Sequence, residues 1–146
     1  MRGFIAGAIS TGRGVAQMMV VSKSSEMPEA TLPRKLAVAG EVVDDICRSV
    51  SEADLVILAT PLCTFENIFV EIADALPDGC IVTDVGSTKV LPHRWAAKKL
   101  PKRVHYVGSH PIAGSEQRGV EFARDDLFDQ AMCILTTTSK TNVRAV

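Results

Sequence analysis

From Glu52 onward, short apolar runs alternate with amphipathic stretches. "ADLVILATP" (Ala53 to Pro61) is a continuous apolar run stopped by proline, the pattern of a strand buried on both faces. In "TFENIFVEIADALPDG" (Thr64 to Gly79), Phe65, Ile68, Phe69, Ile72, Ala75 and Leu76 recur at helical spacing. Thr64 stands at the N-cap position, and Pro77-Asp78-Gly79 ends the helix. "CIVTD" (Cys80 to Asp84) predicts a second buried strand, and "GSTKVLPHRWAAKKL" a turn plus helix that tolerates Pro92 only in its first turn. "VHYVG" (Val104 to Gly108) predicts a third strand, "GVEFARDDLF" (Gly119 to Phe128) a short helix, and "AMCILTTT" (Ala131 to Thr138) a fourth strand. Alternating apolar strands and helices imply parallel pairing, hence a doubly wound, mostly parallel α/β sheet. Such sheets bind ligands at the carboxyl ends of their strands. Those ends are Thr60-Pro61, Asp84 to Ser87, and Ser109 to Glu116.

The first 50 residues follow this rhythm less clearly. "GFIAGAI" and "QMMVVS" read as strands, and "EVVDDICRS" as a short connecting element. A dinucleotide fold carries G-x-G-x-x-G between its first strand and first helix. Here the glycines are Gly7, Gly12 and Gly14, and the residues left before "MMVVS" cannot hold a crossover helix. The regular first βα unit is therefore expected to be missing. After the second strand, Ser22, Lys23 and Ser24 stand where an acid would grip the ribose of NAD. Such a basic, hydroxylated cluster suits the 2′-phosphate of NADP, or is simply a solvated loop.

Composition narrows the classes. Sixteen lysines and arginines against 17 acids give no overall pull toward nucleic acid or an anionic membrane. No apolar run approaches the roughly 20 residues of a membrane span. Cys47, Cys63, Cys80 and Cys133 lack paired-cysteine spacing and predict buried free thiols in a reducing, cytoplasmic setting, with no metal. The acid-free stretch up to Ser25 weakly resembles a transit peptide, which makes a plastid the alternative compartment.

The candidate chemistry lies at the strand ends. In "VGSHPIAGSEQRG" (Val107 to Gly119), His110 is followed by a backbone-fixing proline and two glycines. An imidazole ordinarily titrates near 6.5, so a neutral histidine there can accept a proton. The bland alternative is a structural or solvated histidine. In "TDVGSTK" (Thr83 to Lys89), Ser87 and the backbone N–H groups suit an anion or polar group, or Ser87 only caps the helix; Lys89 reads equally well as solvated.

With these residues laid out, the chain resembles the prephenate/arogenate dehydrogenase family. The carrying motifs are "DLVILATP", "IVTDVGSTK", "VGSHPIAGSEQRGVEFARDDLF" and "CILTTT", in the family's order and spacing. The resemblance implies a Rossmann-like nucleotide-binding domain, with residues 1–34 its degenerate start and 35–146 the remainder. It implies hydride transfer from the carbinol carbon of prephenate or arogenate to NADP, or NAD, with loss of carbon dioxide as the ring aromatises, a step of tyrosine biosynthesis. It assigns His110 as acceptor of the ring-hydroxyl proton, Ser87 as its orienting partner and Glu116 to the substrate end. Thr60, Pro61, Asp84 and Gly86 fall on the cofactor side. The family's helical C-terminal domain, which forms a homodimer and meets the substrate carboxylate, is not in this sequence, so activity is expected to need it. The alternative is a non-catalytic Rossmann-like domain that binds a partner chain or nucleotide only.

Overall fold

The structure, a computed structural model, describes the strands Phe4–Thr11 (β1), Gly14–Val21 (β2) and Glu41–Val43 (β3), and residues 45–113 and 126–146. Within the last two segments lie α1 (Ile46–Val50), β4 (Leu55–Leu58), α2 (Phe65–Ile72), β5 (Ile81–Asp84), α3 (Val90–Lys99), β6 (His105–Pro111) and β7 (Cys133–Thr136). The described strands form one sheet in the order β3-β1-β2-β4-β5-β6-β7. β2, β4, β5 and β6 run parallel, and the edges are antiparallel: β1 against β2 and β3, β7 against β6. The mostly parallel, Rossmann-like sheet expected from the sequence is present.

The two regular crossovers, β4-α2-β5 and β5-α3-β6, run in the same direction along the sheet, so α2 and α3 lie on one face and pack together. Phe65, Ile68, Phe69 and Ile72 of α2 are buried against Val56, Leu58 and Val82, at roughly 1.5–3 kcal/mol for each large side chain. The pleat explains which strand residues take part. Val56 and Leu58 are buried while Leu55 and Ile57 are half-buried, the period-2 alternation of a strand. Ring edges meet ring faces from Phe65 to Phe69 and from Phe69 to Tyr106, with centroids 6.2 and 5.6 Å apart.

Local chemistry sets the element ends. Asp45 caps α1, its carboxylate accepting the Arg48 N–H at 3.1 Å. Pro92 is the third residue of α3, where the missing N–H costs no helical hydrogen bond. Gly79, at φ 81°, makes the turn into β5 that a side chain would resist. The expected connecting element before β4 resolves into β3 and α1. The expected fourth strand is the shorter β7, and it runs antiparallel to β6. Its residues Ile134 and Leu135 are exposed, as are Met132 and Phe128 before it.

β1 and β2 pair from Ile5↔Val20 to Thr11↔Gly14, a hairpin closed by two residues. No helix fits between them, which agrees with the missing first crossover. The predicted helix beginning at Gly119 falls outside the described residues except for its last three positions, which are in a turn. All four cysteines are free, but only Cys80 is buried; Cys47 is half-buried, and Cys63 and Cys133 are exposed. The expectation of buried thiols is thus corrected at the last two, which sit in the turn after β4 and on an edge strand. Among the described residues, no helix is long and apolar enough to cross a membrane, and no cluster of His, Cys, Asp or Glu could hold a metal.

Candidate active site

The strand register brings the candidate segments together. Val21, Leu58, Asp84 and Gly108 lie in one row across β2, β4, β5 and β6. This row marks the carboxyl edge of the sheet: β2, β4 and β5 end there, while β6 runs on to Pro111. Thr60 and Pro61 follow β4, Gly86 and Ser87 follow β5, and His110 stands two positions beyond Gly108, roughly 7 Å farther along the extended strand.

Beneath this edge lies a polar knot centred on Asp84. Its carboxylate is fully enclosed, yet both oxygens are used. Oδ1 accepts the Tyr106 hydroxyl at 2.6 Å; Oδ2 accepts the Gly86 N–H at 3.0 Å and the Lys89 ammonium. The Ser109 hydroxyl donates to the Asp84 carbonyl at 2.6 Å. The Lys89 side chain is only 11% exposed, so the pair is one of enclosed opposite charges. Burial first, then the Asp84 hydrogen bond and charge, push the Tyr106 phenol well above its ordinary range. The knot ties the last residue of β5 to Gly86 in the loop, to Lys89 at the start of α3, and to Tyr106 and Ser109 of β6. Both oxygens of the enclosed Asp84 carboxylate are thus bonded within the fold.

Lys89 reaches Asp84 because Gly108 lies below its stem. A Cβ at residue 108 would fall 2.8 Å from Lys89 Cδ and 3.0 Å from His93 Nε2. His93 in turn stacks edge-on against Tyr106, with centroids 5.0 Å apart, and its Nε2 lies 3.1 Å from the Thr136 carbonyl of β7. These contacts fasten α3 to β6 and β7.

His110 is half-buried near the end of β6, opposite Ile134 of β7. By strand alternation it shares a face with Tyr106 and Gly108. Its Nδ1 is buried and has no hydrogen-bond partner among the described residues. Such a group costs about 1–3 kcal/mol until something pairs with it. Ser87 is exposed, and the N-cap residue of α3 is Lys89, with no side-chain capping bond; the capping alternative for Ser87 is not what forms. Thr60 and Thr64 share a hydrogen bond of 2.7 Å at the turn into α2.

The glycines take different places. Gly7 lies within β1 opposite Met18, and Gly14 opens β2. The described residues after β1 thus form no glycine turn leading into a helix. It is β2, ending at Val21, that neighbours β4. Gly12, Ser22, Lys23, Ser24 and Glu116 lie outside the described residues. Sequence reasoning missed Tyr106 and the pairing of Lys89. The spacing of Asp84 and Lys89 across a turn was the available signal, and a buried lysine needs such an acid.

Residues 8–146 match the family described as "Prephenate dehydrogenase, nucleotide-binding domain". The chain is 37% identical over 148 residues to prephenate dehydrogenase of Bacillus subtilis, covering 99% of this chain and 38% of that one. Prephenate dehydrogenase from Aquifex aeolicus, solved with hydroxyphenyl propionate and NAD+, is 34% identical, with a TM-score of 0.69 over 77% of this chain and 39% of that chain. Synechocystis arogenate dehydrogenase is 28% identical, with a TM-score of 0.61 over 67% of this chain and 34% of that chain. The chain thus spans well under half the length of each. By these matches it belongs to the prephenate dehydrogenase family, within that family's nucleotide-binding domain.

Proposed function

We propose that this chain is the cofactor-binding part of a prephenate or arogenate dehydrogenase, oxidising a ring carbinol with loss of carbon dioxide. The observation that carries this reading is the buried ring nitrogen of His110, without a hydrogen-bond partner among the described residues, at the carboxyl edge of a parallel sheet. A ring nitrogen that the described residues leave unpaired can meet a substrate group.

The residues fit a nicotinamide at one end. Thr60 and Pro61 on one strand end and Gly86 and Ser87 on the next would border it, with the Asp84 knot keeping the second loop in place. When bound, the nicotinamide supplies the hydride acceptor. His110 takes the hydroxyl proton, which lowers the barrier by about 10²–10⁴-fold, and Ser87 orients that hydroxyl. Glu116 is assigned to the substrate end. At the diphosphate end, the β1–β2 hairpin lacks the usual strand-turn-helix cradle, and no step is assigned there. Ser22, Lys23 and Ser24 favour NADP+ over NAD+ by their charge and hydroxyls. Turnover requires a helical second domain, through which the complete enzyme dimerises in the cytoplasm.

A titration of NADP+ and NAD+ against this chain, followed by melting temperature, tests the reading. At ten times Kd the shift is about 1.4 kcal/mol, or roughly 4 °C for a chain of this size. No shift with either nucleotide at millimolar concentration sinks it.

A further inference from the structure

We propose that Thr60 is an acceptor-only contact at the site, held in that role by Thr64. The turn after β4 then selects a ligand group bearing an N–H or O–H and disfavours a phosphate or carboxylate oxygen. The inference rests on the dinucleotide reading above.

Thr64 Oγ1 lies 2.7 Å from Thr60 Oγ1 and 2.8 Å from the Pro61 carbonyl oxygen. A hydroxyl has one proton to give. The carbonyl cannot donate, so its contact is attractive only if Thr64 donates to it. That choice turns the lone pairs of Thr64 toward Thr60, and Thr60 must then be the donor between the two hydroxyls. The opposite assignment leaves two lone-pair-bearing oxygens 2.8 Å apart with no proton between them.

The surroundings hold this chain of hydroxyls in place. Pro61 has its φ fixed near −56°, its carbonyl also accepts the Thr64 N–H at 2.9 Å, and Phe65 anchors the start of α2 in the core. With its proton committed, half-buried Thr60 can only receive a hydrogen bond. In a nicotinamide dinucleotide the carboxamide, the sugar hydroxyls and the adenine amino group can supply one. The diphosphate cannot, so the turn orients the nucleotide as well as binding it. Thr64 is a positioning residue; it acts through Thr60.

The test measures nucleotide affinity by calorimetry on this chain. Thr64→Val should weaken binding of the preferred nucleotide about fivefold, while Thr64→Ser, which keeps the hydroxyl, restores it. A 3-acetylpyridine analogue lacks the carboxamide N–H. If the carboxamide is the donor, the valine variant binds that analogue as the wild type does; if a sugar hydroxyl or the adenine amino group is, the fivefold loss persists. Should Thr64→Val not fold, Thr60→Val against Thr60→Ser reads the same loss and rescue. Wild-type affinity in the valine variant, or equal loss in valine and serine variants, overturns the proposal and leaves the dinucleotide reading standing. Failure of the wild type to bind either nucleotide removes the reading, and the proposal with it.

Discussion

Asp84 and His110 stand at the ends of neighbouring parallel strands, and their surroundings differ sharply. The aspartate is enclosed with both oxygens bonded, to Tyr106, Gly86 and Lys89. The histidine presents a buried ring nitrogen with no partner among the described residues. One polar group spends its bonding capacity on the fold; the other keeps some in reserve. Burial and polarity alone do not mark a reactive group. The separation of structural from chemical roles lies in which atoms are already paired.

The comparison can be broken by substitution. In a chain joined to the helical second domain of a relative, His110→Asn should reduce turnover by about 10²–10⁴-fold and leave nucleotide affinity unchanged. Steady-state rates beside calorimetric binding check this, and surviving turnover would place the base elsewhere. Asp84→Ala has the next largest effect, this time on stability. It strands a buried ammonium and a phenol, at about 3–5 kcal/mol, and should lower the melting temperature by roughly 10 °C or prevent folding. If His110→Asn destabilises the chain as much as Asp84→Ala, the contrast fails.

Gly108→Ala sharpens the picture from the sheet side. The added methyl meets the stem of Lys89 and the ring of His93, so a loss of about 1–3 kcal/mol is expected by chemical denaturation. Wild-type stability would mean that the lysine has another route to its acid.

The smallest effect concerns a residue remote from the edge. Burial, then the charge of Asp54, push the Cys80 thiol up to about 12. Its folded value lies above its unfolded one, so the folded state keeps a proton that the unfolded chain gives up. This contribution to stability is intact below about pH 9 and is lost as pH rises toward 12. Melting curves across that interval should fall less steeply for Cys80→Ala than for the wild type. At pH 8, alkylation should mark Cys63 and Cys133 and spare Cys80.

The sequence made β4, β5, α2 and α3 legible because parallel strands covered by helices leave continuous apolar runs, and helices leave a three-to-four spacing. It also excluded a crossover helix after the first strand, since too few residues were present. The direction of β7 was not readable, because an apolar edge strand looks the same whichever way it pairs. At the site, the strand ends pointed to Thr60, Ser87 and His110. The environment of Asp84 did not show: its partners come from a loop, a helix start and a neighbouring strand, and only the register of β5 on β6 makes them meet. Lys89 resembled a solvated helix residue for the same reason.

Among the described residues β7 is the outer strand, bonded on one side to β6, while Ile134 and Leu135 point apolar surface to opposite faces of the sheet's margin. Backbone N–H and C=O groups on such a margin are a template for another extended chain. Concentrating this polypeptide alone should therefore favour strand-to-strand stacking into oligomers, and a lysine at Ile134 would be the simplest way to keep a sample dispersed for the titrations.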